Sequence, residues 1–425
     1  MRRKRFEWEG AAWTARAMRE WFAAAQPKVR HEVERIREMI DSERDVALRR
    51  LVQELDGVEQ MPVSLRVDPA AASAALEALD PLLREAMERA AENIRAVARM
   101  QVKDESESIE LPQGHSVTVR EVPVESAGVY APGGRAVYPS SVLMCAIPAQ
   151  EAGVRRIALA SPPGRDGQLA APVLAAAALC GIEEIYAMGG AHAIYALVYG
   201  TETVFGVDVI VGPGNVWVQE AKRDAMGIVG IDSFAGPSEL MLVAGHDTDA
   251  GWAGLDLCAQ AEHGPESPLA VVAVEEEVLE RIAAATEAVA SERPSVTDAP
   301  LALVQTPDLS DAIDLANAFA PEHLELLEED AVLQADRIGT AGCVFVGRYG
   351  ATAFGDYAAG SNHVLPTSWS GRFSGPLGPG TFRRRISKVE INAGAAAQLA
   401  PQVDALARAE GLPVHGESAM IRSES

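Results

Sequence analysis

Val207-Asp-Val-Ile-Val211, then Gly212-Pro-Gly-Asn215, then Val216-Trp-Val-Gln-Glu-Ala-Lys222 is the stretch whose reading decides the fold. A short run rich in valine and isoleucine suits a buried strand better than a helix. Two glycines around a proline stop it, and Asn215 stands where a cap would open the helix expected over 216–226. The same pattern recurs upstream. Arg156-Ile-Ala-Leu-Ala-Ser161 ends in Pro162-Pro-Gly and precedes a helical 169–180. Glu184-Ile-Tyr-Ala-Met188 ends in Gly189-Gly190 and precedes a helical 193–199. Three such units imply a parallel sheet with helices on both faces.

A second series follows Gly236-Pro237-Ser238. Strands are expected at 240–244, 269–274, 302–304 and 343–346, alternating with helices at 250–262, 276–292 and 309–319. Upstream, 13–57 reads as a helical arm broken or restarted at Pro27. Asp68-Pro69 opens a helix to about Arg99, with aspartate as cap and proline at the first position. A strand is expected from Val117, a turn at Val129-Tyr130-Ala-Pro-Gly-Gly134, and a helix over 142–152 despite Pro148. From Ile386 come a short strand-like piece and a helix from Ala395 to Glu410, restarted at Pro401. The expected architecture is α/β: two doubly wound Rossmann-like domains lacking G-x-G-x-x-G, plus a helical N-terminal arm and a C-terminal arm. The arms are residues 1–24 and 377–425. Residues 25–125 with 239–376 form one α/β domain, and 126–238 form the other.

Composition narrows the function. The chain has 425 residues, 48% hydrophobic and 23% charged, which is ordinary for a globular protein. Its net charge of −24, from 61 acidic and 37 basic residues, repels phosphate backbones and anionic lipid, so nucleic acid and membrane partners are disfavoured. Arg2-Arg3-Lys4-Arg5 is followed by Glu7 and Glu9 with no apolar core, unlike a signal peptide. Cys145, Cys180, Cys258 and Cys343 stand singly, a pattern that fits reduced thiols in the cytoplasm.

Four of the eight histidines lie beyond Gln260, each near a carboxylate or carboxamide: His263, His323, His363 and His415. Nitrogen and oxygen donors gathered this way suit zinc. Gln260 and His263 share a helix face, Asp356 adds a negative donor, and His415 would complete a four-coordinate set. Glu322 beside His323 offers a base and a proton relay near neutral pH. Each segment read alone is equally a polar helix end or a capped turn. The Gly212–Asn215 and Gly189–His192 turns face anions with helix N-termini, or are merely tight turns.

Together the segments resemble the histidinol dehydrogenase family. The blocks that carry the resemblance are Val129-Tyr130-Ala-Pro-Gly-Gly, Gly189-Gly190-Ala, Gly212-Pro-Gly-Asn215, Ala235-Gly-Pro-Ser238-Glu, Gln260-Ala-Glu-His263, Ala320-Pro-Glu322-His323-Leu-Glu, Asp356-Tyr-Ala-Ala-Gly-Ser-Asn-His363 and Glu410-Gly-Leu-Pro-Val-His415. The resemblance implies oxidation of L-histidinol to L-histidine through L-histidinaldehyde, with two NAD per turnover. It implies zinc on Gln260, His263, Asp356 and His415, the last from the neighbouring subunit of a homodimer with exchanged C-terminal arms. It implies Glu322 and His323 as the catalytic pair. Ser238, His363 and Glu410 would contact substrate beside the zinc ligands and His323. Tyr130 and Asn215 would contact NAD. A third NAD position, glutamine in the family, is His192 here.

Overall fold

The computed structural model describes residues 1–23, 28–103, 106–133, 136–233 and 236–423; the expected break at Pro27, and Gly134 and Ala235 of the family blocks, lie outside them. In chain order the elements are β1 (Arg2–Phe6), α1 (Ala11–Ala23), α2 (Arg30–Leu55), β2 (Arg66–Val67), α3 (Pro69–Glu77), α4 (Pro81–Gln101), β3 (Glu107–Glu110) and β4 (Ser116–Pro123). Next come β5 (Ser126–Tyr130), α5 (Pro139–Glu151), β6 (Arg156–Ser161), α6 (Ala171–Leu179), β7 (Glu184–Ala187), α7 (Gly190–Tyr199), β8 (Val209–Val211), α8 (Val216–Ala225) and β9 (Gly230–Ile231). The second series is β10 (Leu240–Val243), α9 (Ala250–Ala261), β11 (Leu269–Ala273), α10 (Glu276–Ser291), β12 (Pro300–Gln305), α11 (Leu309–Phe319), β13 (His323–Leu326), α12 (Glu329–Val332), β14 (Cys343–Val346) and α13 (Thr352–Tyr357). The chain closes with β15 (Arg383–Glu390), α14 (Ala393–Ala409) and α15 (Pro413–Met420).

The chain divides into two compact units, 1–101 with 125–381 and 102–124 with 382–425. The larger holds two sheets. One has strand order β1-β12-β11-β10-β13-β14, parallel throughout. The other has order β2-β7-β6-β5-β8-β9, parallel except for β2. Both reverse direction of growth partway, between β10 and β13 and between β5 and β8, as doubly wound sheets do. The first sheet shows why its strands read as unbroken apolar runs. Met241, Val243, Ala270, Val272, Leu324 and Leu326 pack on one face with Phe319 of α11 and Met18 of α1. Leu240, Leu242, Leu269 and Val271 pack on the other with Leu257 of α9 and Ile282 of α10. Strand side chains alternate sides, so a strand covered on both faces must be apolar at every position. Each such leucine or isoleucine contributes roughly 1.5–3 kcal/mol on burial.

Several expectations change, among them the helix from Asp68 to about Arg99, which is two, α3 and α4, broken before Pro81. The 1–24 arm is not wholly helical, because β1 pairs with β12 at the sheet edge while Arg5 reaches Glu276 and Glu280 of α10. A basic pentapeptide has no strand pattern of its own, and the partner's open backbone groups impose one. Residues 30–101, expected with the 239–376 half, attach to the other sheet: β2 pairs with β7, and Ile36, Ile40, Leu48 and Leu51 of α2 share a core with Ile194 of α7 and Val218 of α8. The turn expected at Val129 begins only after β5, a fully buried central strand whose glycine and alanine hid it. Finally, α14 runs through Pro401 without restarting. The Asp68 cap is present, accepting from Ala70 N at 2.9 Å. The smaller unit pairs β15 with β4 and β4 with β3, all antiparallel, and packs α14 on α15.

Candidate active site

Glu322 and His323 stand where β13 begins, in register with the start of β10. The chain reaches that point through Ala320, whose left-handed φ of 52° ends α11 and swings Pro321 toward the sheet. This is the amino end of the strands, not the carboxyl end where sites on open α/β sheets usually form. Ser238 and Glu239, just before β10, lie opposite. Glu322 Oε2 accepts from Ser238 Oγ at 2.6 Å and from Glu239 N at 2.7 Å, and Glu322 N in turn donates to Glu239 Oε2 at 3.3 Å. Ser368 N donates to the other oxygen of Glu239 at 3.0 Å. Burial pushes the Glu322 carboxyl up to about 8 against these donors, and burial with the charge of Glu322 pushes Glu239 up to about 8 as well. A carboxyl poised near neutral pH is the kind that can take and return a proton during turnover.

The imidazole of His323 is buried and oriented. Its Nδ1 lies 3.0 Å from the Glu239 carbonyl, which can only accept, so Nδ1 carries the proton. That leaves Nε2 with its lone pair, 3.7 Å from Asp356 Oδ1 at the end of α13. Burial lowers the His323 pKa against the pull of Asp356, so the ring is neutral and able to act as a base. By the same logic His363 Nδ1 donates to the Asp356 carbonyl at 2.9 Å and its Nε2 accepts from Ser141 Oγ of α5 at 3.3 Å. Asn362 Nδ2 donates to Met144 O at 2.6 Å, so the loop after α13 is tied to a helix of the other sheet.

Gln260 and His263 come from the C-terminal end of α9. His263 opens to solvent, yet protein packed around its ring favours the neutral, ligand-competent form against Asp356. Gln260 is buried, and its Nε2 meets no hydrogen-bond partner among the described residues. Amide N and O are interchangeable by a flip. An orphaned carboxamide one helical turn before an imidazole on which a carboxylate acts is the kind of donor set that a divalent cation would satisfy. Among the described residues no three His, Cys, Asp or Glu side chains close on one point. The candidate donors are His263 and Asp356 with the amide of Gln260. His415, in α15, and Glu410, the C-cap of α14, belong to the smaller unit and are exposed.

The second sheet offers its carboxyl ends at its own reversal point. Tyr130 ends β5, and Gly212 follows β8. A Cβ on Gly212 would stand 2.0 Å from the Tyr130 carbonyl, and its φ is +120°, so only glycine fits. Gly212 N donates to Asp232 Oδ2 at 2.8 Å, and its carbonyl accepts from buried Lys222 Nζ at 2.9 Å, while Lys222 also pairs with Asp232. Asn215 Oδ1 caps α8 through Trp217 N and Val218 N. Tyr130 Oη accepts from Gly190 N at 3.1 Å. His192 turns inward: it is fully buried, with Nε2 3.1 Å from Asp56 Oδ2, which also takes the Gly189 amide at 2.9 Å. A backbone so fixed, at two helix N-termini, is what a dinucleotide needs.

A model of the histidinol dehydrogenase family matches residues 21–423. The chain belongs to the histidinol dehydrogenase family. It is 40% identical over 409 residues to the histidinol dehydrogenase of Pseudomonas putida, covering 95% of this chain and 92% of the relative. With that of Synechococcus it shares 41% over 404 residues, 93% of each chain. The crystal structure of histidinol dehydrogenase from Elizabethkingia anophelis superposes with a TM-score of 0.90 at 30% identity, covering 100% of this chain and 98% of that one. Histidinol dehydrogenases are oxidoreductases of histidine biosynthesis, and the chain is one of them. Sequence reasoning missed Ser141, Asp56, Lys222, Asp232 and Glu239. Only Glu239 had a visible signal, its place directly after Ser238 in a quoted block.

Proposed function

We propose that the chain oxidises L-histidinol to L-histidine through L-histidinaldehyde, in the cytoplasm, using zinc and two NAD per turnover. The supporting observation is the fixed tautomer of His323, with Nε2 free to accept a proton, beside a carboxyl of raised pKa. Gln260, His263 and Asp356 would hold the metal, with His415 from a neighbouring copy of the chain, and Tyr130 and Asn215 would contact NAD. His192 would support the Gly189–Gly190 turn from beneath. When bound, zinc supplies a Lewis-acid anchor for the substrate's nitrogens, and NAD supplies the hydride acceptor.

The protein's own part is proton management. His323 Nε2 takes the alcohol proton as the carbinol is oxidised. Glu322, once ionised, removes a proton from the water that hydrates the aldehyde, and Ser238 and the Glu239 amide hold it in place. His363 orients the substrate from the loop after α13, and Glu410 of the neighbouring copy would pair with the substrate's ammonium or imidazole. No thiol is required. Burial raises the pKa of all four cysteines, so none is a ready thiolate. The deciding measurement is NADH formed per L-histidinol consumed. A ratio near two is expected; a ratio of one would mean a simple alcohol dehydrogenase, and none would end the enzymatic reading.

A further inference from the structure

The site has a second polar layer one turn below it. On β13, side chains two apart share a face, so Glu325 points the same way as His323 while Leu324 and Leu326 enter the opposite core. On α9, Asp256 lies one turn before Gln260, and on α13, Thr352 lies one turn before Asp356. These three lower residues meet. Glu325 Oε1 accepts from Thr352 N and from Thr352 Oγ1, each at 2.8 Å. The remaining oxygen of Glu325 is sealed from solvent and meets no donor among the described residues, and the carboxyl beside Glu325 is that of Asp256. Glu325 is wholly buried. Its sheet neighbours in register, Leu242 of β10 and Phe345 of β14, are apolar, so Asp256 is the titratable group that faces it.

We infer that Glu325, Asp256 and Thr352 form a positioning clamp in which one proton is shared between the two carboxyl groups, locking α9, β13 and α13 together so that Gln260, His263, His323 and Asp356 stand at working distance. The proton resides on Glu325 and is donated to the Asp256 carboxylate. A buried carboxylate beside a half-buried one would repel it, whereas an acid–carboxylate pair is a strong charge-assisted hydrogen bond. The direction of both shifts agrees: burial, reinforced by Asp256, raises Glu325, and burial raises Asp256 against the bond from Glu325. None of the three touches the reaction. Each acts through the residue one turn or one strand step above it, so the clamp rests on the zinc-dependent oxidation proposed above.

The test compares Glu325→Leu with Glu325→Gln in the full-length protein. A glutamine keeps the acceptor for Thr352 and presents an N–H to Asp256, as the shared proton does; leucine keeps only the volume. Glu325→Leu is expected to lower kcat about 100-fold, the cost of a site misplaced by roughly an ångström. KM for NAD should stay unchanged because the cradle lies on the other sheet, and zinc per chain after dialysis should fall. Glu325→Gln should rescue most of both losses. Equal damage from glutamine would overturn the shared proton, and wild-type kcat and zinc content in Glu325→Leu would overturn the clamp. Should leucine prevent folding, Thr352→Val removes one donor with no change of shape and is expected to lower kcat about tenfold; no change there would also overturn it. Wild-type protein that yields no NADH from histidinol would sink the functional reading instead, with zinc retention still reporting on the clamp.

Discussion

At the scale of single residues, the chemistry depends on which atom of each ring or carboxyl is already engaged. His323 gives Nδ1–H to the Glu239 carbonyl and keeps Nε2 for a proton. Replacing His323 by asparagine should lower kcat by about 10²–10⁴-fold with little change in KM, the range for losing a positioned base; unchanged turnover would show that another group takes the alcohol proton. His192 illustrates the opposite case. Its sequence position suggested a cofactor contact, but its ring is turned to Asp56 in the interior. Asp56→Asn should therefore act like a change at His192, loosening the Gly189–Gly190 turn and raising KM for NAD without altering kcat. Steady-state kinetics at varied NAD separates the two.

At the scale of elements, the decisive contacts are between strand ends and the turns that follow them. Gly212 sits so near β5 that any side chain would collide with the Tyr130 carbonyl. Gly212→Ala should destabilise the protein by about 1–3 kcal/mol through strain at positive φ and displacement of the strand end. It should also weaken NAD binding, read by thermal unfolding and by cofactor titration. Normal values in both would mean that the turn relaxes freely. Much of this was legible. The valine-rich runs stopped by glycine gave the parallel sheets, and Asp68 and Asn215 were correctly placed as caps. The strand carrying His323 was not legible, because β13 is four residues long and holds a histidine and a glutamate. Hydrophobic patterning sees strands whose both faces are apolar, and a strand with polar groups on one buried face breaks that pattern.

At the scale of the whole molecule, the buried acids shape the response to pH. Glu239 and Glu322 are pushed up to about 8 from an ordinary value of 4.5. The folded state thus binds more protons than the unfolded chain between these values, and stability falls as pH rises across that window. The contribution is fully present below about pH 4.5 and is lost by the time pH passes about 8. Melting temperature followed from pH 7 to 9 in the metal-free protein, above the ordinary value of 6.5 from which burial lowers His263 and His323, should decline, and Glu239→Gln should flatten the decline; a parallel slope would place the linkage elsewhere. Arm exchange also belongs to this scale. His415→Asn and His323→Asn proteins, each inactive alone, should regain activity when unfolded and refolded together, since a mixed dimer would hold one intact site. Absence of complementation would return His415 to its own chain.

The sequence by itself determined the two doubly wound sheets, the caps and the roster of candidate donors, because these depend on local spacing and on which residues tolerate burial. It also carried the family resemblance, through blocks that survive in order along the chain. Only the tertiary structure decided that residues 30–101 attach to the second sheet and that β1 completes the first. It alone showed that His192 turns inward and that Glu239, Asp256 and Glu325 stand beside or beneath Glu322 and His323. Those outcomes are set by which surfaces meet across long separations in the chain, and a buried carboxyl becomes a neutral acid only once its neighbours have excluded water.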